Sequence, residues 1–171
     1  PLCQGIDRDI LQDFVTRMDS DYFSAFPPKT LAAHVKQAAT LTPDHPCDVS
    51  IAETAGGHFV ITIVAYDYFS EFATICGLLS AFGLNIEEGR IFTSAESEQP
   101  SRSRSADPYP IRTRPQGRPG LTRKKIVDVF TVSPIEGQTF ATADRKRLAD
   151  QLARMIMRLD DDGKIVAWIG K

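Results

Sequence analysis

The chain has 171 residues, 42% of them hydrophobic, enough to bury one full core or one domain with an appendage. A formal net charge of -2 gives no global pull toward nucleic acid or a membrane surface. No apolar run approaches the roughly 20 residues a helix needs to span a bilayer, so a membrane partner is not expected.

In chain order, residues 7 to 18 are expected to form a helix, with Asp7 or Asp9 as N-cap and Ile10, Leu11, Phe14, Val15 and Met18 as its apolar stripe. Asp19 to Pro28 break it. The Pro27-Pro28 pair can start a helix but not sit inside one, and Leu31, Val35 and Ala38 or Ala39 then share one side of a second helix ending near Leu41. Residues 1–46 therefore make a helical arm or connector, expected to pack against a neighbouring domain. The chain opens on Pro1 and reads as a piece of a longer protein.

Residues 47–171 hold the remaining elements. Val49 and Ile51 alternate with Ser50 and Ala52 as an edge strand, and Gly56-Gly57 closes a hairpin. Phe59, Ile61 and Ile63 alternate with Val60, Thr62 and Val64, a run apolar on both faces and hence central in its sheet. It ends at Asp67. Phe72, Ile75, Cys76 and Leu79, joined by Leu78 and Phe82, then recur at helical spacing and must lie on a sheet, with Glu71 and Thr74 facing elsewhere and Ala73 and Gly77 permitting close approach. Gly83 turns the chain into a second extended run.

Residues 96–125 are the compositional outlier, with five prolines, four serines and eight Lys or Arg against three acids. A mobile insertion between two strands is expected there. Its basic charge would suit an acidic partner or RNA, but Tyr109 is its one aromatic residue, too few for a base-stacking platform, so nucleic acid is not the favoured partner. Ile126 to Val132 form the next strand, and a helix follows with Thr142 as N-cap and Leu148, Leu152, Met155, Ile156 and Leu159 on its apolar face. Asp160-Asp161-Asp162-Gly163 is expected to stop it, leaving Ile165 to Ile169 as a last short strand.

The element order defines an α+β fold: a ferredoxin-like βαββαβ two-layer sandwich with an extra N-terminal strand and a helical arm. One slot is contested. The Gly56-Gly57 hairpin and the last strand both claim the place beside the central strand, and the hairpin is expected to win because its closure is local.

Cys3, Cys47 and Cys76 are odd in number and lack CxxC spacing, which fits reduced thiols in a cytoplasmic protein. A zinc site from His45, Cys47 and His58 would lack a fourth ligand.

The order Asp67, then Phe72, Ile75, Gly77, Leu79, then Gly83-Leu84-Asn85-Ile86, then Arg90-Ile91-Phe92-Thr93 resembles the first half of an ACT domain, a small amino-acid-binding regulatory module. Val127-Asp128-Val129-Phe130-Thr131-Val132 is similar to its next strand. The version most resembled is that of bacterial PII uridylyltransferases and related nitrogen-control nucleotidyltransferases, whose connector is similar to Asp21-Tyr22-Phe23 through Val35. The resemblance implies an amino acid effector, glutamine in a nitrogen sensor, held between two modules in a homodimer or against a neighbouring domain. The ligand-binding positions it implies are Asp67, Ser70, Glu71, Phe72, Leu84, Asn85 and Ile86. The chain departs from the family at Phe69-Ser70-Glu71, where a Pro-Gly-Leu is usual. Ser70 narrows the backbone approach and Glu71 repels a carboxylate, so a degenerate interaction scaffold without ligand stands as the alternative to sensing.

Catalytic signatures are missing. The sequence has no GxxxxGK phosphate loop, HExxH or GxSxG, no His followed by Asp, and no nucleotidyltransferase signature. No enzymatic activity, metal or cofactor is expected of this chain.

Overall fold

The computed structural model describes residues 3–67, 71–96 and 123–169. Helices α1 (Arg8–Arg17), α2 (Ser20–Ala25) and α3 (Pro28–Thr40) are followed by strands β1 (Cys47–Glu53) and β2 (Phe59–Tyr66), helix α4 (Glu71–Ala81), strands β3 (Leu84–Thr93) and β4 (Lys125–Pro134), and helix α5 (Thr142–Ile169). The fold is α+β, with one antiparallel sheet in the order β1-β2-β4-β3. The expected insertion at 96–125 falls mostly outside the described residues. It leaves after β3 and returns at β4, where Lys125 N–H donates to Ser94 Oγ at 2.8 Å and Ser94 N–H donates to Lys125 O at 2.8 Å.

Alternation along the two central strands builds two cores, because successive side chains in a strand point to opposite faces. Phe59, Ile61, Ile63 and Ala65 of β2 and Ile126, Phe130 and Val132 of β4 pack under α4 and α5, on Ile75, Leu79, Leu148, Leu152 and Ile156. Val64, Tyr66, Val127 and Val129 face the other way, onto Phe14, Met18, Tyr22, Val35 and Ala38 of the arm. The arm does not await a neighbouring domain: its apolar stripe closes on this chain's own sheet. The expected two layers are thus three. α2 falls inside the expected break, nucleated by Asp19, whose side chain accepts from Tyr22 N–H at 2.8 Å, while the Tyr22 ring is fully buried. Its hydroxyl bonds His34 Nδ1 at 2.9 Å, and burial lowers His34 to a pKa of about 4, so that histidine is a neutral core group.

A polar clip fixes the arm where β3 ends and β4 begins. Lys125 Nζ donates to Asp13 Oδ2 at 2.9 Å, and Arg17 Nε donates to Ala95 O at 2.7 Å. Lys125 is buried, so its charge requires that partner.

Three further expectations are corrected. The last strand does not form: Ile165 to Ile169 belong to α5, a 28-residue helix. β1 has filled the slot beside β2, and three aspartates and one glycine cost a helix too little, roughly 1 kcal/mol or less each, to stop it. Gly77 is exposed and a Cβ on it would meet nothing, so it permits no close approach, and Ala73 is exposed as well. Val15, placed in the arm's stripe, is 44% exposed.

Gly83 behaves as its position implies. It has φ +69°, its carbonyl accepts from Ile135 N–H at 2.8 Å, and a Cβ there would collide with the Gln138 side chain. Gly83→Ala is expected to cost about 1–2 kcal/mol, measured as a lowered urea midpoint with unchanged m-value.

Candidate functional site

From Ile126 to Phe130, β4 is apolar on both faces except at one position. Asp128 stands on the face covered by α4 and α5, paired with Ile63 on β2 and Ile91 on β3, and with Ile126 and Phe130 as its neighbours along the strand. It is 2% exposed, and its Oδ1 receives no hydrogen bond from any described residue. A buried carboxylate oxygen without a donor costs free energy, on the order of 1–3 kcal/mol, and a strand this apolar has no structural need of it.

Asp67 lies close by. β2 and β4 stay paired past Tyr66↔Lys125, with Asp67 N–H donating to Lys124 O at 3.0 Å, so the end of β2 is held beside the start of β4. Burial first, and the like charge of Asp67 second, raise the Asp128 carboxyl to a pKa of about 7. Across from it on α4, burial and then the Asp128 charge raise the Cys76 thiol.

An apolar wall completes the corner. The Phe72 ring stacks on Phe130 at 6.1 Å with an interplanar angle of 22°, and Phe72 remains 50% exposed. Gly89 on β3 pairs with Phe130, and a Cβ there would rest on the ring at 3.4 Å, in ordinary contact. Beside it Ile91 is 47% exposed.

The residues implied by the resemblance divide between two places. Asp67 follows the end of β2, and Phe72 stands in the first turn of α4, which Glu71 heads; Ser70 lies outside the described residues. Leu84, Asn85 and Ile86 are at the other end of the sheet, where Asn85 pairs with Ser133. Ser133 is eight residues along β4 from Lys125, about 27 Å at ~3.4 Å per residue, and five residues, about 17 Å, from Asp128. Leu84 is 2% exposed and belongs to the core, whereas Asn85 is exposed and Ile86 is 37% exposed. Sequence reasoning missed Asp128, though its signal was visible: one acid inside Ile126-Val127-Asp128-Val129-Phe130, a run otherwise apolar on both faces.

Other polar groups do not gather into a site. His58 Nδ1 pairs with Glu87 Oε2 at 2.9 Å on the surface, and among the described residues no three His, Cys, Asp or Glu side chains are placed to hold a metal. A groove of about 350 Å³ between α4 and α5 is lined by Leu78, Gln151, Arg154, Met155 and Arg158, with no acid or nucleophile. Among the described residues no helix is long and apolar enough to cross a membrane. No protein-family model matches this sequence, and no curated protein matches it.

The Asp128 carboxyl should make stability depend on pH. The folded chain keeps this proton up to about pH 7, while an unfolded aspartate loses it near 4, so the folded state binds more protons between these values. The Asp128 contribution to stability is therefore expected to fall by a few kcal/mol as pH rises from 4 to 8, while the neutral core His34 contributes the opposite slope between about 4 and 6.5; the urea-midpoint difference between Asp128→Asn and the parent chain, followed across the range, isolates the Asp128 part.

Proposed function

We propose that this chain is a regulatory module that senses a small molecule, an amino acid such as glutamine, within a nitrogen-metabolism nucleotidyltransferase. The observation that carries the sensing is the Asp128 carboxyl, buried beside the Asp67 corner with an oxygen that no described residue satisfies. An unpaired buried polar group with a shifted pKa, set in an apolar wall, is the physical signature of a candidate ligand site.

The strand order supports an ACT-like module. β4 lies between β2 and β3, which α4 connects, giving the split β-α-β arrangement of ferredoxin-like folds. β1 takes the place that the last strand fills in that fold, with the same antiparallel partner relation to β2.

The separation of the two half-sites favours assembly. One ligand reaches both the Asp67 corner and Asn85 only when a second module brings its own turn to this corner. The partner is a second copy of the chain or a similar neighbouring module. Asn85→Ala is expected to weaken amino-acid binding at least tenfold while leaving circular dichroism unchanged. Calorimetric titration with glutamine and then the other amino acids, with mass followed in parallel, checks this; undiminished affinity in the variant would refute the two-module site.

A second reading is that the module only assembles. β3 is an edge strand whose outer side carries no strand among the described residues, and Ile86 and Ile91 are 37% and 47% exposed. The Phe69-Ser70-Glu71 departure supports this reading. Concentration-dependent association with no response to any amino acid would favour it over sensing.

A further inference from the structure

Resting on the sensing role proposed above, a finer assignment concerns the chemistry of what is sensed. We infer that the Asp67–Asp128 corner is a subsite for a cationic nitrogen, the ammonium group of an amino acid or of a simple amine.

Charge and donors both argue for this. The titratable groups that bear on Asp128 are the Asp67 carboxyl at the end of β2 and the Cys76 thiol on α4; its partners on the flanking strands are Ile63 and Ile91. Asp128 Oδ1 is buried and accepts from no described residue. An ammonium group, favoured also by the Asp67 charge, has three N–H donors that supply the hydrogen bond Asp128 Oδ1 lacks. A ligand carboxylate is repelled by the same pair, so an amino acid enters with its nitrogen inward and its carboxylate outward, toward the second module's turn.

The wall suits the carbon skeleton. Phe72 and Ile91 leave half of their surface open at the corner, and the stacked Phe72–Phe130 rings offer an aromatic face to a nearby positive charge. A divalent metal fits worse. Calcium takes six to eight oxygens, whereas two carboxylates and an apolar wall are what this corner provides.

Proton release follows. Near neutrality the free chain holds a proton on Asp128, and an arriving ammonium favours the ionised carboxylate, so binding expels that proton and tightens as pH rises through about 7.

The test is calorimetric titration of the full chain at pH 6 and pH 8 with four probes: glutamine, N-acetylglutamine, 1,4-diaminobutane and magnesium chloride. Repeating it in buffers of different ionisation enthalpy counts the protons released. Glutamine is expected to bind at least fivefold more tightly at pH 8 with net proton release at pH 6, N-acetylglutamine not to bind, and Asp128→Asn to lose at least tenfold in affinity. The exposed Asp67→Asn variant guards against a folding defect and is expected to lose less. Glutamine binding that survives both N-acetylation and Asp128→Asn would overturn the subsite and leave sensing intact. Binding of diaminobutane alone, lost in Asp128→Asn, would support the subsite while overturning the amino-acid reading. Saturable magnesium binding lost in Asp128→Asn, or silence from all four probes, would overturn the subsite.

Discussion

The pairing of β2 with β4, from Phe59↔Val132 to Tyr66↔Lys125, is the constraint on which the rest of this fold depends. Both strands are apolar on both faces, so neither face can be left to water, and each face recruits its own helical layer. α4 and α5 cover one and the N-terminal arm covers the other. Removing the arm would bare Val64, Tyr66, Val127 and Val129, which makes the arm a structural part of the domain. The Asp13–Lys125 ion pair pins that layer to the strand end at which the 96–125 segment rejoins the sheet.

The same constraint gives Asp128 its meaning. In a half-solvated strand an aspartate is unremarked, but at 2% exposure in a doubly covered one it opposes folding at neutral pH. A hydrophobic residue there would pack better and stabilise the chain. Unfavourable groups of this kind persist where function needs them, and this one lies three pairs in from the strand end, within reach of the Asp67 charge and one position along β4's covered face from Phe130, on which the half-open Phe72 ring stacks. Its distance from Asn85 then links recognition to assembly: a single module carries two half-sites that face different ends of the sheet.

Much of this was legible in the sequence because it is local. Period-two alternation at Phe59–Val64, the glycine pair at 56–57 and helical spacing at Ile75 and Leu79 report directly on burial, and the hairpin's claim to the slot beside β2 followed from loop closure. Tertiary facts were not legible. The arm's stripe is the same whether it meets a foreign domain or its own sheet, and Ile165–Ile169 reads as a strand only while an edge remains for it. Gly77 looked like a contact point, yet the helix turns it to solvent. Of the implied site, Asp67 and Phe72 flank the β2–α4 connection, and Leu84 is withdrawn into the core. Asp128 was overlooked because one acid in a strand is ordinary until both faces are known to be covered.

The most direct measurement is a carboxyl carbon-13 NMR titration of Asp128, in the free chain and with saturating amine or amino acid. An apparent pKa near 7 is expected in the free chain, falling when the ligand's ammonium arrives. An ordinary aspartate value near 4 in the free chain, unmoved by any ligand, would contradict it.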